Sequence, residues 1–284
     1  MQKNMSLTAC VTRWSRLGSL AGALAMALSA CDGEIPSGAT ATTAATMSAL
    51  TNSDLVYHGG PTITNAHVVA IFWGPSWATG GIDAAKATTL ANYIANFGTT
   101  GEYNVITQYS GIKQTNLAGG TENWIDTSRP PSVVTDISVQ AEVQKYLASH
   151  PFDPSAIYEV FLPKSSYAKF GSLTSCGGST IGFCGYHSRF VSGSNVVKYA
   201  VLPYPSCVSC QVTGFTVAQN FEHFVAHQTR AAVTDPEADA WWDGSGYEAD
   251  DKCTWSPAPY IDSATGYAYN YEWSQELKAC VKTR

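Results

Sequence analysis

Six cysteines in the second half of the chain constrain its fold more than any other feature. The chain has 284 residues and eight cysteines, of which Cys10 and Cys31 lie near the N-terminus. An even number of cysteines in an exported chain predicts disulfide bonds. Sequence alone leaves the pairing open, and pairing of nearest neighbours predicts the bonds Cys176–Cys184, Cys207–Cys210 and Cys253–Cys280.

Two other roles are open for the four middle cysteines. They could hold a structural zinc ion, but seven residues separate Cys176 from Cys184, which is too long for the usual ligand spacing. Cys207-Val-Ser-Cys210 has the spacing of a redox motif. That segment follows two prolines in a predicted loop, with no helix start that would lower the pKa of a thiol. Disulfides are therefore favoured.

The first 30 residues have the parts of an export signal. Its positive charges are Lys3, Arg13 and Arg16. The apolar stretch Leu17 to Ala30 is shorter than the roughly 20 residues of a relaxed membrane span. Leu28-Ser29-Ala30-Cys31 resembles the lipobox of bacterial lipoproteins, in which the cysteine is acylated. The sequence predicts a lipoprotein signal at 1–30 and a membrane anchor on Cys31, with an ordinary cleaved signal as the alternative.

Composition indicates one folded extracytoplasmic domain behind this anchor. Residues 31–54 are rich in Ala, Thr, Ser and Gly, which predicts a flexible tether, and residues 55–284 form a single domain. Removing the three basic residues of the signal leaves 13 Lys+Arg against 22 Asp+Glu, a net charge near −9. The absence of a basic patch argues against a nucleic-acid partner. The choice between inner and outer membrane stays open.

Hydrophobic periodicity predicts alternating strands and helices in the domain. We expect an α/β (α+β) fold with a mixed twisted sheet, packed helices and a loop-rich, disulfide-bonded C-terminal part. Predicted strands lie at 67–73, 156–163, 183–187 and 196–203; predicted helices lie at 83–97, 138–149 and 215–233, and 102–112 is expected to be irregular with a short strand.

The third predicted helix carries the densest group of chemically active residues. His223 and His227 are four residues apart and share one helix face, which predicts a metal-binding pair turned toward a cleft. The zincin pattern His-Glu-x-x-His needs a glutamate after the first histidine to activate the metal-bound water, and this chain has Phe224 there. Solvated or capping histidines are the alternative interpretation.

Several short motifs resemble bacterial relatives of the plant EXORDIUM, or phosphate-induced, proteins. The resemblance spans about residues 55 to 280, and its motifs are Val56-Tyr-His-Gly-Gly-Pro61, Cys184-Gly-Tyr-His-Ser188, Val233-Thr-Asp-Pro236, Ala240-Trp-Trp-Asp243, Gly246-Tyr-Glu248 and Asp251-Lys-Cys253. The family consists of extracellular proteins tied to growth, with a poorly defined biochemical activity. Membership would make His58, His187, Asp235 and Asp251 family-motif positions.

The same resemblance implies a degenerate zincin-like domain. Bacterial members carry Ser-His-Glu-x-x-Glu-Ala-x-Thr-Asp-Pro on this helix, which places their histidine on His227 and their two glutamates on Gln228 and Ala231. Neither replacement can act as a base or bind a metal as a carboxylate does. We expect a pseudoenzyme without hydrolytic activity that acts at the cell envelope by binding a wall glycan or another envelope protein.

A rebuilt site is the alternative function. His223 and Glu248 could join His227 as ligands of a zinc ion and restore an active, peptidase-like metal-dependent hydrolase. The competing interpretation makes Glu248 and Asp251 part of a loop network around Cys253. Exposed aromatic residues would suit sugar stacking by a binding protein; they are Trp241, Trp242, Tyr247, Tyr267, Tyr269 and Trp273.

Overall fold

A computed structural model describes residues 54–118 and 123–284. The predicted signal, Cys31 and the tether as far as residue 53 lie outside the described residues. The strands are β1 (Val56–Tyr57), β2 (His67–Trp73), β3 (Trp124–Asp126), β4 (Val133–Thr135), β5 (Ala156–Phe161), β6 (Tyr167–Phe170), β7 (Leu173–Thr174), β8 (Tyr186–Ser192), β9 (Asn195–Leu202), β10 (Trp241–Trp242), β11 (Tyr260–Ile261), β12 (Ala268–Tyr269), β13 (Glu272–Ser274) and β14 (Ala279–Val281). The α-helices are α1 (Ala84–Phe97), α2 (Gly101–Asn104), α3 (Asp136–Leu147), α4 (Val217–Thr234) and α5 (Ala249–Lys252).

A five-stranded mixed sheet forms the centre of the domain, with the order β3-β2-β5-β9-β8. Strands β3, β2, β5 and β9 are parallel, and β8 pairs antiparallel with β9 at one edge. The tight turn between β8 and β9 contains Gly193, whose φ of 62° favours glycine. This arrangement confirms the predicted α+β class with a mixed sheet.

Helices cover both faces of the sheet. Successive side chains of β2 point to opposite faces, and each set packs against different helices. Val68, Ala70 and Phe72 join a core cluster with residues of α1 and α4. Their neighbours Val69 and Ile71 join a second cluster with residues of α3. A strand buried on both faces reads as a continuous apolar run, which is why the sequence predicts the bounds of β2 correctly.

Local signals position the helices. Helix α4 begins after Thr216, which forms a capping box with Gln219, and it ends before Pro236. Asp83 occupies the predicted cap position of α1, but its side chain caps nothing and contacts Lys86 at 3.0 Å and the Tyr204 hydroxyl at 3.3 Å instead.

Two local predictions are wrong. The segment 102–112 contains no strand; helix α2 and a 3-10 turn over Val105–Gln108 occupy it, because Thr100 accepts from the Tyr103 N–H and starts a helix. The strand expected at 183–187 begins only at Tyr186 and continues to Ser192, since Cys184 is held away in a disulfide. The small sheet of β4, β6 and β7 was not predicted either.

Among the described residues three disulfides form, all in the C-terminal part, and they indicate an extracytoplasmic protein. The bond Cys253–Cys280 is confirmed. The other two predicted pairs are wrong, because the observed bonds are Cys176–Cys207 and Cys184–Cys210. The chain before β8 carries Cys176 and Cys184 and lies beside the segment 207–210. Each of its two cysteines bonds one cysteine of that segment. With these sulfurs in disulfides, none is a thiolate that could hold zinc.

None of the helices in the described ranges has both the length and the apolar character needed to cross a membrane.

A buried carboxyl lies between the sheet and helix α4. Glu159 on β5 is fully buried, and its Oε1 accepts from the Thr229 hydroxyl at 2.6 Å. Burial raises the pKa of Glu159 to about 8, although the Thr229 hydrogen bond opposes the shift. The folded protein therefore holds this group protonated at neutral pH.

We predict that Glu159→Gln gains stability relative to wild type as the pH rises. The pKa of Glu159 is about 8 in the folded state and about 4.5 when unfolded. Stability from this group is therefore fully present below the unfolded value and falls by roughly 1.4 kcal/mol per pH unit until the folded value is passed. Glutamine keeps an acceptor for Thr229 but cannot ionise.

Urea unfolding of both proteins at pH 5 and pH 8 measures this effect. The exposed Glu276→Gln serves as the matched control for the substitution itself. A difference between Glu159→Gln and wild type that stays constant with pH would contradict the prediction.

Candidate functional site

The motif segments that are far apart in the sequence meet around the C-terminal half of α4. Strand β1 pairs with β10, which places Tyr57 opposite Trp241. Gly60 lies so close to Asp239 that a Cβ atom there would be 1.8 Å from Asp239 Oδ1. At Gly185 an added Cβ would lie 3.2 Å from the Val201 backbone oxygen, a tight contact, and 3.4 Å from Gln228 Nε2, an ordinary one. A side chain at residue 60 would clash with Asp239, which explains the glycine at that position of the motif.

His227 lies between two aspartates of the α5 segment. Its Nε2 is 3.5 Å from Asp251 Oδ1, and its Nδ1 is 3.9 Å from Asp250 Oδ1. Burial would lower the pKa of His227, but the hydrogen bonding and charge of Asp251 and the charge of Asp250 outweigh burial and raise it. The raised pKa makes protonation of the His227 ring easier, and a protonated imidazole does not bind metals.

His187 on β8 lies beside Glu248. The distance from His187 Nε2 to Glu248 Oε1 is 3.6 Å, longer than a hydrogen bond, and neither atom has a hydrogen-bond partner among the described residues. Burial lowers the pKa of His187 to about 4. Burial also raises the pKa of Glu248 well above its usual range, with the charges of Asp235 and Asp251 adding to the shift. At pH 7 His187 is therefore neutral, and the pKa shift of Glu248 favours its protonated form.

Asp235 closes helix α4 and joins this cluster. Its Oδ1 accepts from the backbone N–H groups of Asp239 and Ala240, each at 2.7 Å. Burial raises the pKa of Asp235 to about 6, although these two N–H groups oppose the rise. The side-chain interaction between Asp235 and Glu248 lowers the pKa of Asp235 and raises that of Glu248, so a proton is favoured on Glu248 over Asp235.

A buried ion network next to the cluster was missed by the sequence analysis. Arg230 on α4 is fully buried, and it binds Asp250 at 2.6 Å and Glu272 at 2.8 Å. Its remaining N–H groups donate to the backbone oxygens of Glu102 and Asn270. The apolar run at residues 231–233 directly after Arg230 is the sequence signal that could have predicted a buried arginine with acidic partners.

His223 lies apart from this cluster. It is completely buried, and aromatic rings surround it, with centroids 4.0 Å away at Phe224 and 5.6 Å away at Trp255. Asn270 lies beside the ring, but neither ring nitrogen has a partner in hydrogen-bonding geometry among the described residues. Burial lowers the pKa of His223 to about 3. The prediction of a cleft-facing histidine pair is wrong, because the aromatic C-terminal loops cover this part of the helix.

The residues present do not fit a zincin-type zinc ion. His223, His227 and Glu248 do not bring three ligand atoms within 4.8 Å of one another; in the described part of the chain only Cys176, Cys207 and Cys210 do so, and these are disulfide-bonded. At the positions of the family's glutamates, Gln228 is 5% exposed and Ala231 is 1% exposed.

The predicted stacking aromatics divide into two groups. Tyr269 and Trp273 are only 1% exposed and belong to the core, so they are unavailable to a ligand. Trp241, Trp242, Tyr247 and Tyr267 are partly exposed. The Trp242 ring stacks on His58 with centroids 3.4 Å apart, and Trp241 packs against Tyr57.

We predict opposite outcomes for the two helix histidines. His223→Leu should leave the free energy of unfolding unchanged or raise it, because it replaces an unpaired buried polar ring by an apolar side chain. His227→Leu should lower it by about 1–3 kcal/mol, since Asp250 and Asp251 lose their partner.

Urea unfolding at pH 7 compares both variants with wild type. Equal losses in the two variants would show that the His223 nitrogens have partners and would refute the contrast.

This arrangement is buried and is built from protein groups that satisfy one another in part. Comparisons with protein-family models, with curated proteins and with solved structures found no match to this chain.

Proposed function

We propose that this protein is an exported, lipid-anchored member of the EXORDIUM-like family that binds an envelope glycan and has no hydrolytic activity. Helix α4 then corresponds to the active-site helix of a zincin-like ancestor, retained as a scaffold. The three disulfides support export, and the signal ending in Cys31 supports the anchor.

The proposal rests on the burial of one face of helix α4. In an active hydrolase that face would be open to substrate. Gln228 and Ala231 are buried where a base and a ligand would lie. General-base catalysis contributes roughly 100- to 10,000-fold to a rate, and glutamine cannot accept the proton. Burial and the charges of Asp235, Asp251 and Asp250 raise the pKa of Glu248 well above its usual range, so Glu248 is poorly suited to replace the missing base.

The surface that supports binding is the Trp patch, defined as Tyr57, His58, Trp241 and Trp242. Strands β1 and β10 hold it together, with hydrogen bonds from the His58 N–H to Ala240 O and from the Gly60 N–H to Asp239 O. Tyr57 is 46% exposed. Aromatic faces fixed on paired strands suit stacking against sugar rings, because little side-chain entropy is lost on binding.

We expect wild-type protein to co-sediment with purified peptidoglycan sacculi without cleaving a broad peptide library. Tyr57→Ala and Trp242→Ala should weaken binding by roughly 2- to 10-fold through the loss of stacking. Tyr267→Ala, which removes a partly exposed tyrosine packed on Tyr93, is the matched control. Failure of wild type to bind sacculi would exclude the glycan partner.

Hydrolytic activity on the peptide library is measured with the same protein preparations, once with added zinc and once with a chelator. Gln228→Glu with Ala231→Glu restores the family's two glutamates, and Gln228→Glu with Ala231→Gln controls for the added volume at residue 231. Chelator-sensitive cleavage by wild type would refute the proposal. Cleavage by the first double variant alone would show a disarmed hydrolase.

We expect Cys31→Ser to abolish membrane anchoring, because serine offers no thiol for acylation. Fractionation and intact mass measure the change: wild type should partition with detergent-extractable membrane and carry added acyl mass. Unchanged fractionation and the same lack of acyl mass in both proteins would show an ordinary cleaved signal.

A further inference from the structure

Two of the three disulfides lie against each other. The sulfurs of Cys176, Cys207 and Cys210 are all within 4.8 Å of one another, although Cys176 bonds Cys207 and Cys210 bonds Cys184. The sulfur of Cys210 is therefore within reach of both sulfurs of the neighbouring disulfide. In the described residues, Cys253–Cys280 has no third sulfur at this distance.

Each of these two disulfides has one outer and one inner sulfur. Cys184 and Cys207 are partly exposed, whereas Cys176 is 3% and Cys210 is 1% exposed. The turn Val208–Cys210 directly follows Cys207 and projects into solvent, since Val208 is 88% exposed. An external thiol can reach the outer sulfurs but not the inner ones.

Ser209 lies between the two outer sulfurs. Its Oγ is 3.3 Å from Cys207 Sγ, and its backbone oxygen is 3.5 Å from Cys184 Sγ. Cys207 carries no proton while it is in a disulfide, so the hydroxyl is the donor. A hydrogen bond to Cys207 sulfur strengthens when that sulfur becomes a thiolate, which makes Cys207 the favoured leaving group.

We propose that these two disulfides form a thiol–disulfide exchange site for external thiols, with Cys184 as the entry sulfur and Cys207 as the exit sulfur. In the first step an external thiolate attacks Cys184 Sγ, forms a mixed disulfide there and releases the Cys210 thiolate. In the second step Cys210 attacks Cys176 Sγ, forms the buried bond Cys176–Cys210 and releases the Cys207 thiolate beside Ser209.

The exchange balances without an oxidant. One thiol is consumed and one thiol is released, two disulfide bonds break and two form, and the proton lost by the external thiol ends on Cys207. The motif Cys207-Val-Ser-Cys210 therefore supplies an attacking and a leaving sulfur from one turn, without forming a bond within itself. The substrate class is a small-molecule thiol or an accessible cysteine of another exported protein.

The test uses the full-length protein in detergent, treated with reduced glutathione under native conditions. N-ethylmaleimide then traps free thiols, and tandem mass spectrometry after chymotrypsin cleavage locates each cysteine. We expect glutathione on Cys184, N-ethylmaleimide on Cys207, the new bond Cys176–Cys210 and an intact Cys253–Cys280. Persistence of Cys176–Cys207 after Cys184–Cys210 has opened, or equal reaction at Cys253–Cys280, would overturn the proposal.

A variant pair tests the role of Ser209. Ser209→Ala should slow the second step by roughly tenfold, because the leaving thiolate loses a donor, while the rate of glutathione addition at Cys184 is unchanged. Ser206→Ala, an exposed serine in the same loop, is the matched control. Equal rates of the second step in Ser209→Ala and wild type would remove Ser209 from the exchange.

Discussion

The buried Arg230 side chain holds together the two parts of the domain. A guanidinium removed from water is costly unless its charge and its N–H groups are matched, and here Asp250 and Glu272 supply the charge while backbone oxygens take the remaining N–H groups. The partners come from α5 and β13, which follow helix α4 in the chain. Arg230 therefore joins the loop-rich C-terminal part to the helix together with the hydrogen bond from the Ala268 N–H to Glu222, and the disulfide Cys253–Cys280 cross-links that part internally.

This dependence explains the state of the neighbouring histidines. Asp250 lies closer to Arg230 than to His227, and its charge helps to raise the pKa of His227. Burial lowers the pKa of His187 to about 4 and raises the pKa of Glu248 well above its usual range. A metal-dependent hydrolytic centre needs an ionised carboxylate to take a proton from water, and the shift at Glu248 opposes that role. Gln228 and Ala231 are both buried and take part in the packing of helix α4.

The sequence predicts the elements whose signals are local. Strand β2, helix α1, strand β5 and helix α4 have apolar patterns that tertiary contacts do not override, although the predicted cap Asp83 of α1 contacts Lys86 and Tyr204 instead. The short strands β1 and β10 carry too few residues for a pattern and exist because they pair with each other.

The parts that could not be predicted depend on contacts distant in the sequence. Two disulfide pairs differ from nearest-neighbour pairing because two loops lie side by side, and the chain between them gives no sign of it. His223 and His227 share a helix face by spacing, but the aromatic loops that cover His223 come from elsewhere. The ion partners of Arg230 are likewise invisible to periodicity.

Strand β1 follows the predicted tether in the chain, and it forms one side of the Trp patch. For an anchor on Cys31, the 23 residues from 32 to 54 set the distance between this surface and the bilayer. A flexible chain of that length has a root-mean-square span of about 27 Å. The aromatic face would then sample a thin layer next to the membrane, and its encounters with immobile polymer there would be governed by tether length as much as by affinity.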